Sequence, residues 1–271
     1  MKPLLVATDF SRRARFAAIW AVRRAADVGA PVVLYSAVTI EGAGHPLVEA
    51  HRRSVTESLD RSAEASAESL AAELRALAPT VDLRCDVDVA EDRVEAIEAA
   101  ARRHGAEAIV VGSRGENAFS RAVLGSVAAG VLTSASCNVV VVPQHARYRG
   151  IGQVVLASDL ADLDRDLSGL GRFAGEPRPA LRIVHLRHAD DPPPPADVPA
   201  RAAASGWLGA TFADCVGDEW PEAIDEIVAD VSADLVAMTV HPHGRIHRLF
   251  HRDLVHAVAF QGLVPLLGIR A

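Results

Sequence analysis

The stretch Ala108 to Ser126, AIVVGSRGENAFSRAVLGS, reads as a strand, a loop and the start of a helix. Ala108-Ile109-Val110-Val111 is a short, branched, wholly apolar run, the pattern of a strand covered on both faces of a sheet. Val127 to Ala135 is a helix-like run of small and apolar residues. Between them, Gly112, Gly115, Gly125 and Ser126 are spaced Gly-x2-Gly-x9-Gly-Ser. Glycine admits φ > 0 and lets backbone N–H groups come close to a ligand, and a helix N-terminus is partly positive. Such a loop at the carboxyl end of a strand suits a polyphosphate. Gly112 ends the strand where a side chain would fill the crevice, and Gly115 lets the loop turn over a phosphate. Ser126 is placed to cap the following helix and to donate to a phosphate oxygen. Arg114 and Arg121 can add charge, although solvated loop arginines fit the pattern equally well.

Working outward, the chain contains this unit twice. LLVATDF at Leu4–Phe10 returns as VVLASDL at Val154–Leu160, an offset of 150, and Val33-Leu34-Tyr35 matches Ile183-Val184-His185 at the same offset. VAEDRVEAI at Val89–Ile97 returns as VGDEWPEAI at Val216–Ile224, an offset of 127. That offset holds to the end, with Ala106–Val111 against Ala233–Met238 and Val139–Val142 against Leu266–Ile269. The difference, 150 − 127 = 23 residues, is missing from the second copy between its second and third strands. There the first copy has a long Ala/Glu/Ser/Leu-rich helical stretch, Leu47 to Ala78. The second has the proline run Asp190–Pro199 and a short ARAAAS segment.

Each half alternates five strands with four helices. In the first half the strands are expected near residues 4–8, 32–38, 81–87, 108–112 and 139–142, with an amphipathic helix over Ser11 to Val28. This predicts an α/β protein of two tandem, doubly wound, five-stranded parallel-sheet domains, with ligand crevices at the strands' carboxyl ends. The expected domains are residues 1–147 and 151–271.

Composition sets limits. The chain has 271 residues, half of them apolar, enough for one large or two ordinary domains with cores. No apolar run reaches the ~18 residues a membrane span needs, and Met1-Lys2-Pro3 leads into the first strand too quickly for a signal peptide. Cys85, Cys137 and Cys215 are scattered and odd in number, as in a reducing compartment. A soluble cytoplasmic protein is expected. The net charge of −7 argues against nonspecific nucleic-acid binding.

The glycine spacing, together with Thr8-Asp9-Phe10-Ser11 after the first strand, resembles the universal stress protein family over nearly the whole chain. The resemblance implies a Rossmann-like fold similar to that of the adenine nucleotide alpha hydrolases, and ATP binding with or without Mg. It implies that Asp9 lies at the adenosine end and that the backbone around Ser36 touches adenine. Gly112, Gly115, Gly125 and Ser126 would hold the ribose and phosphates, with Thr8, Ser11 and Arg114 alongside. Family halves pair through their last strands about a twofold axis, so an intramolecular pseudo-dimer is expected, any further homodimer being a separate event. Ala90, Ser36 and Val38 depart from the family's usual glycine, valine and acidic residue. No Gly-Lys-(Ser/Thr) triplet and no Gly-x-Gly-x-x-Gly after the first strand is present, which excludes Walker-type and dinucleotide motifs. No nucleophile–base set stands out, so the expectation is a regulatory binding protein with at most slow incidental ATPase activity.

The second half has lost the motif. At the offset of 127, Thr239, Pro242, Arg252 and Asp253 replace Gly112, Gly115, Gly125 and Ser126. Pro242 has no N–H, and Asp253 would set a carboxylate where phosphates lie. Like charges ~4 Å apart repel by about 4 kcal/mol at an effective dielectric of 20. Asp253 is also a good helix cap, able to satisfy the helix end without a ligand. His241, His243, His247, His251 and His256 crowd this loop, and three of them at four-residue spacing form a possible metal array; a polar loop is the plainer reading. Trp207 and Trp220 are expected to cover the gap left by the missing helix. Two other functions compete with ATP binding: a nucleotide-free interaction scaffold, and a metal-binding protein using the histidines.

Overall fold

The computed structural model describes residues 1–39, 52–113, 124–217, 220–240 and 264–270. The first half runs β1 (Leu4–Ala7), α1 (Arg12–Val28), β2 (Val32–Thr39), α2 (Arg52–Leu77), β3 (Leu83–Ala90), α3 (Arg93–His104), β4 (Ala108–Gly112), α4 (Ser126–Ser134) and β5 (Asn138–Val142). The second runs β6 (Gln153–Ala157), α5 (Leu163–Ala174), β7 (Ala180–Arg187), α6 (Val198–Ala204), β8 (Thr211–Val216), α7 (Trp220–Asp230), β9 (Leu235–Val240) and β10 (Leu266–Arg270).

The ten strands among the described residues form one sheet in the order β3-β2-β1-β4-β5-β10-β9-β6-β7-β8. Every neighbouring pair is parallel except β5 with β10, which is antiparallel. Leu266 pairs with Val141, Leu267 with Val140 and Gly268 with Val139. Helices α1, α2, α5 and α6 cover one face, and α3, α4 and α7 the other. Each core layer continues across the β5–β10 seam. This is why the central strands read as unbroken apolar runs: Leu4–Ala7 and Val139–Val142 are buried on both sides.

The helices begin where capping chemistry allows. Ser11 accepts from the Ala14 N–H at the start of α1, and Asp92 accepts from Val94 and Glu95 at the start of α3. Gly29 and Gly105 end these helices in the left-handed conformation. Against expectation, β3 begins two residues later and runs on to Ala90.

Strand register corrects the repeat. Leu4 pairs with Val32 and Val154 with Leu181, so β2 maps to β7 at an offset of 149 and not 150. Tyr35 therefore corresponds to Val184, and Ser36 to His185. The buried positions of α1 (14, 17, 18, 20, 21, 22, 24, 25) also map onto those of α5 (163, 166, 167, 169, 170, 171, 173, 174) at 149. One residue is lost in the turn before α5, and 149 − 127 = 22 are lost between β7 and β8. Consecutive branched residues match equally well at two registers, so the sequence pattern cannot detect a slip of one.

The larger deletion leaves α6 with 7 residues where α2 has 26. Trp207 fills the space, 1% exposed, with its Nε1–H donating to the Leu167 carbonyl at 3.3 Å and the Arg178 guanidinium 5.1 Å from its ring centre. The side chain of Trp220 lies outside the described residues. Trp207→Ala should cost about 3–5 kcal/mol, read as a lower denaturant midpoint of the whole chain.

Candidate functional site

The carboxyl ends of β1, β2 and β4 meet the first turns of α1 and α4 at one edge of the sheet. At the end of β1, the Thr8 N–H donates to the Tyr35 carbonyl at 2.9 Å, and Thr8 Oγ1 accepts from the Phe10 N–H at 3.0 Å. Asp9 is exposed, and its Oδ1 accepts from the Ser11 N–H at 3.0 Å. Ser11 Oγ in turn accepts from Ala14 at 3.1 Å. These bonds hold Phe10 at φ +61°, the left-handed region that side chains resist.

At the end of β4, Gly112 is buried and pairs with Val142. The Ser113 N–H donates to the Val142 carbonyl, and the Gly125 N–H to the Ser113 carbonyl, both at 2.9 Å. The loop between Ser113 and Leu124 thus leaves and returns at one point. Helix α4 starts at Ser126, with Gly125 in the cap position at φ −60°, ψ 146° and no side-chain cap bond. This corrects the expectation that Ser126 caps the helix; it is the first helical residue. Helices α1 and α3 are capped by side chains and α4 is not. Among the described residues no side chain accepts from its first-turn N–H groups, at the end of the Gly-x2-Gly-x9-Gly-Ser stretch.

The outer wall is built by β2 and β3, which extend beyond β1. Ser36 is 3% exposed and pairs with Val87, and Thr39, four residues past the end of the β1 ladder, pairs with Ala90. Thr39 Oγ1 accepts from Arg93 Nη2 at 2.8 Å. Beneath lies a network that the sequence reading missed. The fully buried Tyr35 donates its hydroxyl to Asp88 Oδ2 at 2.9 Å. Arg103 Nη2 reaches Asp86 Oδ2 at 2.5 Å and Asp88 Oδ2 at 2.9 Å, and His104 Nε2 lies 2.6 Å from Asp86 Oδ2. Burial first, and then Asp88, push the Tyr35 hydroxyl well above the usual tyrosine range. Burial alone would raise the Asp86 carboxyl, but hydrogen bonds from His104 and Arg103 outweigh it and hold the group below its ordinary value. Asp86 and Asp88, two apart on one strand with Val87 between them, were the available signal. Their partners sit in the last turn of α3, where cations are favoured.

The second half keeps the β1-type turn. Ser158 N–H donates to the Val184 carbonyl, Leu160 N–H to Ser158 Oγ and Ala161 N–H to Asp159 Oδ1, each at 3.0 Å, with Leu160 at φ +65°. The crevice itself differs. His185 stands in the place of Ser36, its Nδ1 3.1 Å from the Ser158 carbonyl. Thr239 stands in the place of Gly112, 3% exposed, with a hydroxyl that has no hydrogen-bond partner among the described residues.

Arg114, Gly115 and Arg121 lie outside the described residues, as do Pro242, Arg252, Asp253 and the histidines 241, 243, 247, 251 and 256. Among the described residues no cluster of side chains could hold a metal, and no helix is long and apolar enough to cross a membrane. Cys137 and Cys215 are half-buried beside the α3/α4/α7 core, and burial pushes both thiols up.

Comparison with known proteins accords with this geometry. The model of the universal stress protein family matches residues 1–143. A universal stress protein from Archaeoglobus fulgidus DSM 4304 superposes with a TM-score of 0.75 at 18% identity, covering 99% of this chain and 98% of its own. A putative universal stress protein from Pseudomonas aeruginosa UCBPP-PA14 gives 0.61 at 15% identity, covering 100% and 93%. A functionally unknown protein from Pseudomonas aeruginosa PAO1 gives 0.62 at 15%, covering 100% and 92%. No curated protein matches the chain.

A folded-state pKa below the unfolded one makes Asp86 stabilising above the ordinary carboxylate pKa of about 3.9, and that contribution is lost as pH falls through the lower folded value. Asp86→Asn should therefore lower stability at pH 7, and the gap from wild type should narrow below about pH 4. Denaturation midpoints over pH 3–7 check this; a gap that is constant across the range would contradict it.

Proposed function

This chain belongs to the universal stress protein family, and we propose that it is an ATP-binding member acting in stress adaptation or signalling, with one nucleotide site in its first half. The single observation that carries this reading is the start of α4. Its N–H groups follow Gly-x2-Gly-x9-Gly-Ser, its cap is a glycine without a side chain, and the Gly125–Ser113 bond presents that end beside β4. A polyphosphate would supply acceptors and the negative charge such a terminus favours.

In this reading Gly112, Gly115, Gly125 and Ser126 hold the ribose and phosphates, and Arg114 adds charge. Asp9 faces the base and ribose, positioned by the Thr8 and Ser11 turn. The backbone at Ser36 borders adenine, on the wall that Tyr35 and its carboxylate network keep rigid. Mg, where it accompanies ATP, would be held chiefly by the phosphates. The protein binds rather than catalyses, and any ATP hydrolysis is slow and incidental. It works in the cytoplasm, with residues 1–147 as the nucleotide-competent unit and 151–271 as a degenerate one. Antiparallel pairing of β5 with β10 supports the two units standing as an intramolecular pseudo-dimer.

Isothermal titration with ATP should give one site per chain, since Thr239 and His185 occupy the second crevice. Two equivalent sites would overturn this. Silence in the titration, with no adenine nucleotide released from freshly purified protein by mass spectrometry, would leave the nucleotide-free scaffold.

Gly115→Val puts a branched side chain where the loop must turn closely over the ligand. ATP affinity should fall by at least about tenfold, ~1.4 kcal/mol, with the thermal midpoint unchanged. Full affinity in the folded variant would place the phosphates elsewhere.

A further inference from the structure

The seam between the halves is close to symmetric in its backbone and unlike in its chemistry. Val140 and Leu267 are repeat equivalents at the offset of 127, and they pair with each other. The pseudo-twofold axis therefore passes between them, and each residue at the seam faces the counterpart of its own neighbourhood. The side chains can then be tested by exchanging one half for a copy of the other.

On the α3/α4 face, a Cβ on Gly268 would lie 2.5 Å from Leu132 Cδ1 and 3.1 Å from Val240 Cγ2. The equivalent of Gly268 is Val141 (268 − 127). Two first halves paired about this axis would drive Val141 of each into Leu132 of the other. On the α1/α5 face, Arg24 is 5% exposed, and its Nη2 donates to the carbonyls of Phe173 at 2.6 Å and Ala174 at 2.9 Å. Its guanidinium lies 5.3 Å from the Phe173 ring centre. These carbonyls are available because α5 ends at Ala174. The equivalent of Phe173 is Arg24 itself (173 − 149). Two first halves would bury guanidinium against guanidinium, and the Ala25 carbonyl is already taken by the N–H groups of Gly29 and Ala30.

A third contact has the same character. The Arg270 N–H donates to Asn138 Oδ1 at 3.0 Å, and its Nη2 to the Leu132 carbonyl at 2.8 Å, near the end of α4. The equivalent of Arg270 is Pro143, which has neither N–H nor guanidinium. Pairs of second halves fail as well: nothing replaces Arg24 at the α5 carbonyls, and Pro265 replaces Asn138.

We propose that this seam is a specificity device: each half accepts the other half and rejects a copy of itself. The partner it fits is the opposite half of the same chain, so the chain stays closed and does not exchange halves with further copies. Separate sites on both faces of the sheet enforce this, by steric fit on one and by buried charge and carbonyl matching on the other.

The test uses the full chain with a protease site inserted between Arg149 and Gly150, cleaved after folding. Native mass spectrometry should then find only 1:1 pairs of unlike halves. Pairs of like halves, or halves that separate freely, would overturn the proposal. A second measurement probes the fit without cleavage. Gly268→Val should lower the thermal midpoint by several degrees, and adding Leu132→Ala should recover part of that loss although Leu132→Ala alone is destabilising. Strict additivity of the two substitutions would overturn the steric half of the proposal.

Discussion

The antiparallel contact of β5 with β10 is the constraint on which the rest of the molecule depends. Each half ends in a buried, apolar strand with one edge paired inside its own half, to β4 or β9, and the other edge left for something else. An open edge of this kind presents unpaired backbone groups on an apolar ribbon, which invites aggregation. Pairing the two edges joins ten strands into one sheet and lets both core layers run through the seam. Among the described strands, the outer edges at β3 and β8 are the ends that remain.

That arrangement decides where the second half could change. Residues near the seam are held by two-sided packing: Leu163, Leu167 and Leu170 of α5 are buried and correspond one for one with buried positions of α1. The large deletion falls at the far end, beside β8, where every residue is exposed or half-exposed. A helix of 26 residues could shrink to 7 there because one tryptophan covers the uncovered face of the sheet. Loss at the periphery was tolerable in a way that loss at the seam was not.

Much of this was legible in the sequence, for identifiable reasons. Short branched runs between amphipathic stretches name the strands of a parallel sheet, and the recurrence of LLVATDF as VVLASDL names the duplication. What escaped was whatever depends on register or on pairing across the chain. The slip from 150 to 149 is invisible where neighbouring residues are all branched and apolar. Gly125 takes the cap position ahead of Ser126 because the last residue before the helix is set by the loop's closure on Ser113, a contact no local pattern encodes. The Tyr35–Asp88–Arg103–Asp86–His104 network joins three elements, and only the Asp-Val-Asp of β3 hinted at it.

The duplication also supplies an internal control on the site. The turn of Thr8, Asp9 and Phe10 is reproduced bond for bond by Ser158, Asp159 and Leu160, including the left-handed third residue. A half that has lost the glycine motif still keeps that turn, so the turn belongs to the fold: it brings the chain from β1 into its helix, and its backbone strain is borne with or without a ligand. Ser158 even gains a bond to the buried Asp166, where the first half has Ala17. What the second half did not keep are the small residues Gly112 and Ser36, whose places are taken by the larger Thr239 and His185. The weight of the nucleotide reading therefore falls on Gly112, the loop after it and the uncapped start of α4, and much less on the hydroxyls of Thr8 and Ser11. Both hydroxyls accept from the backbone N–H groups that shape this turn.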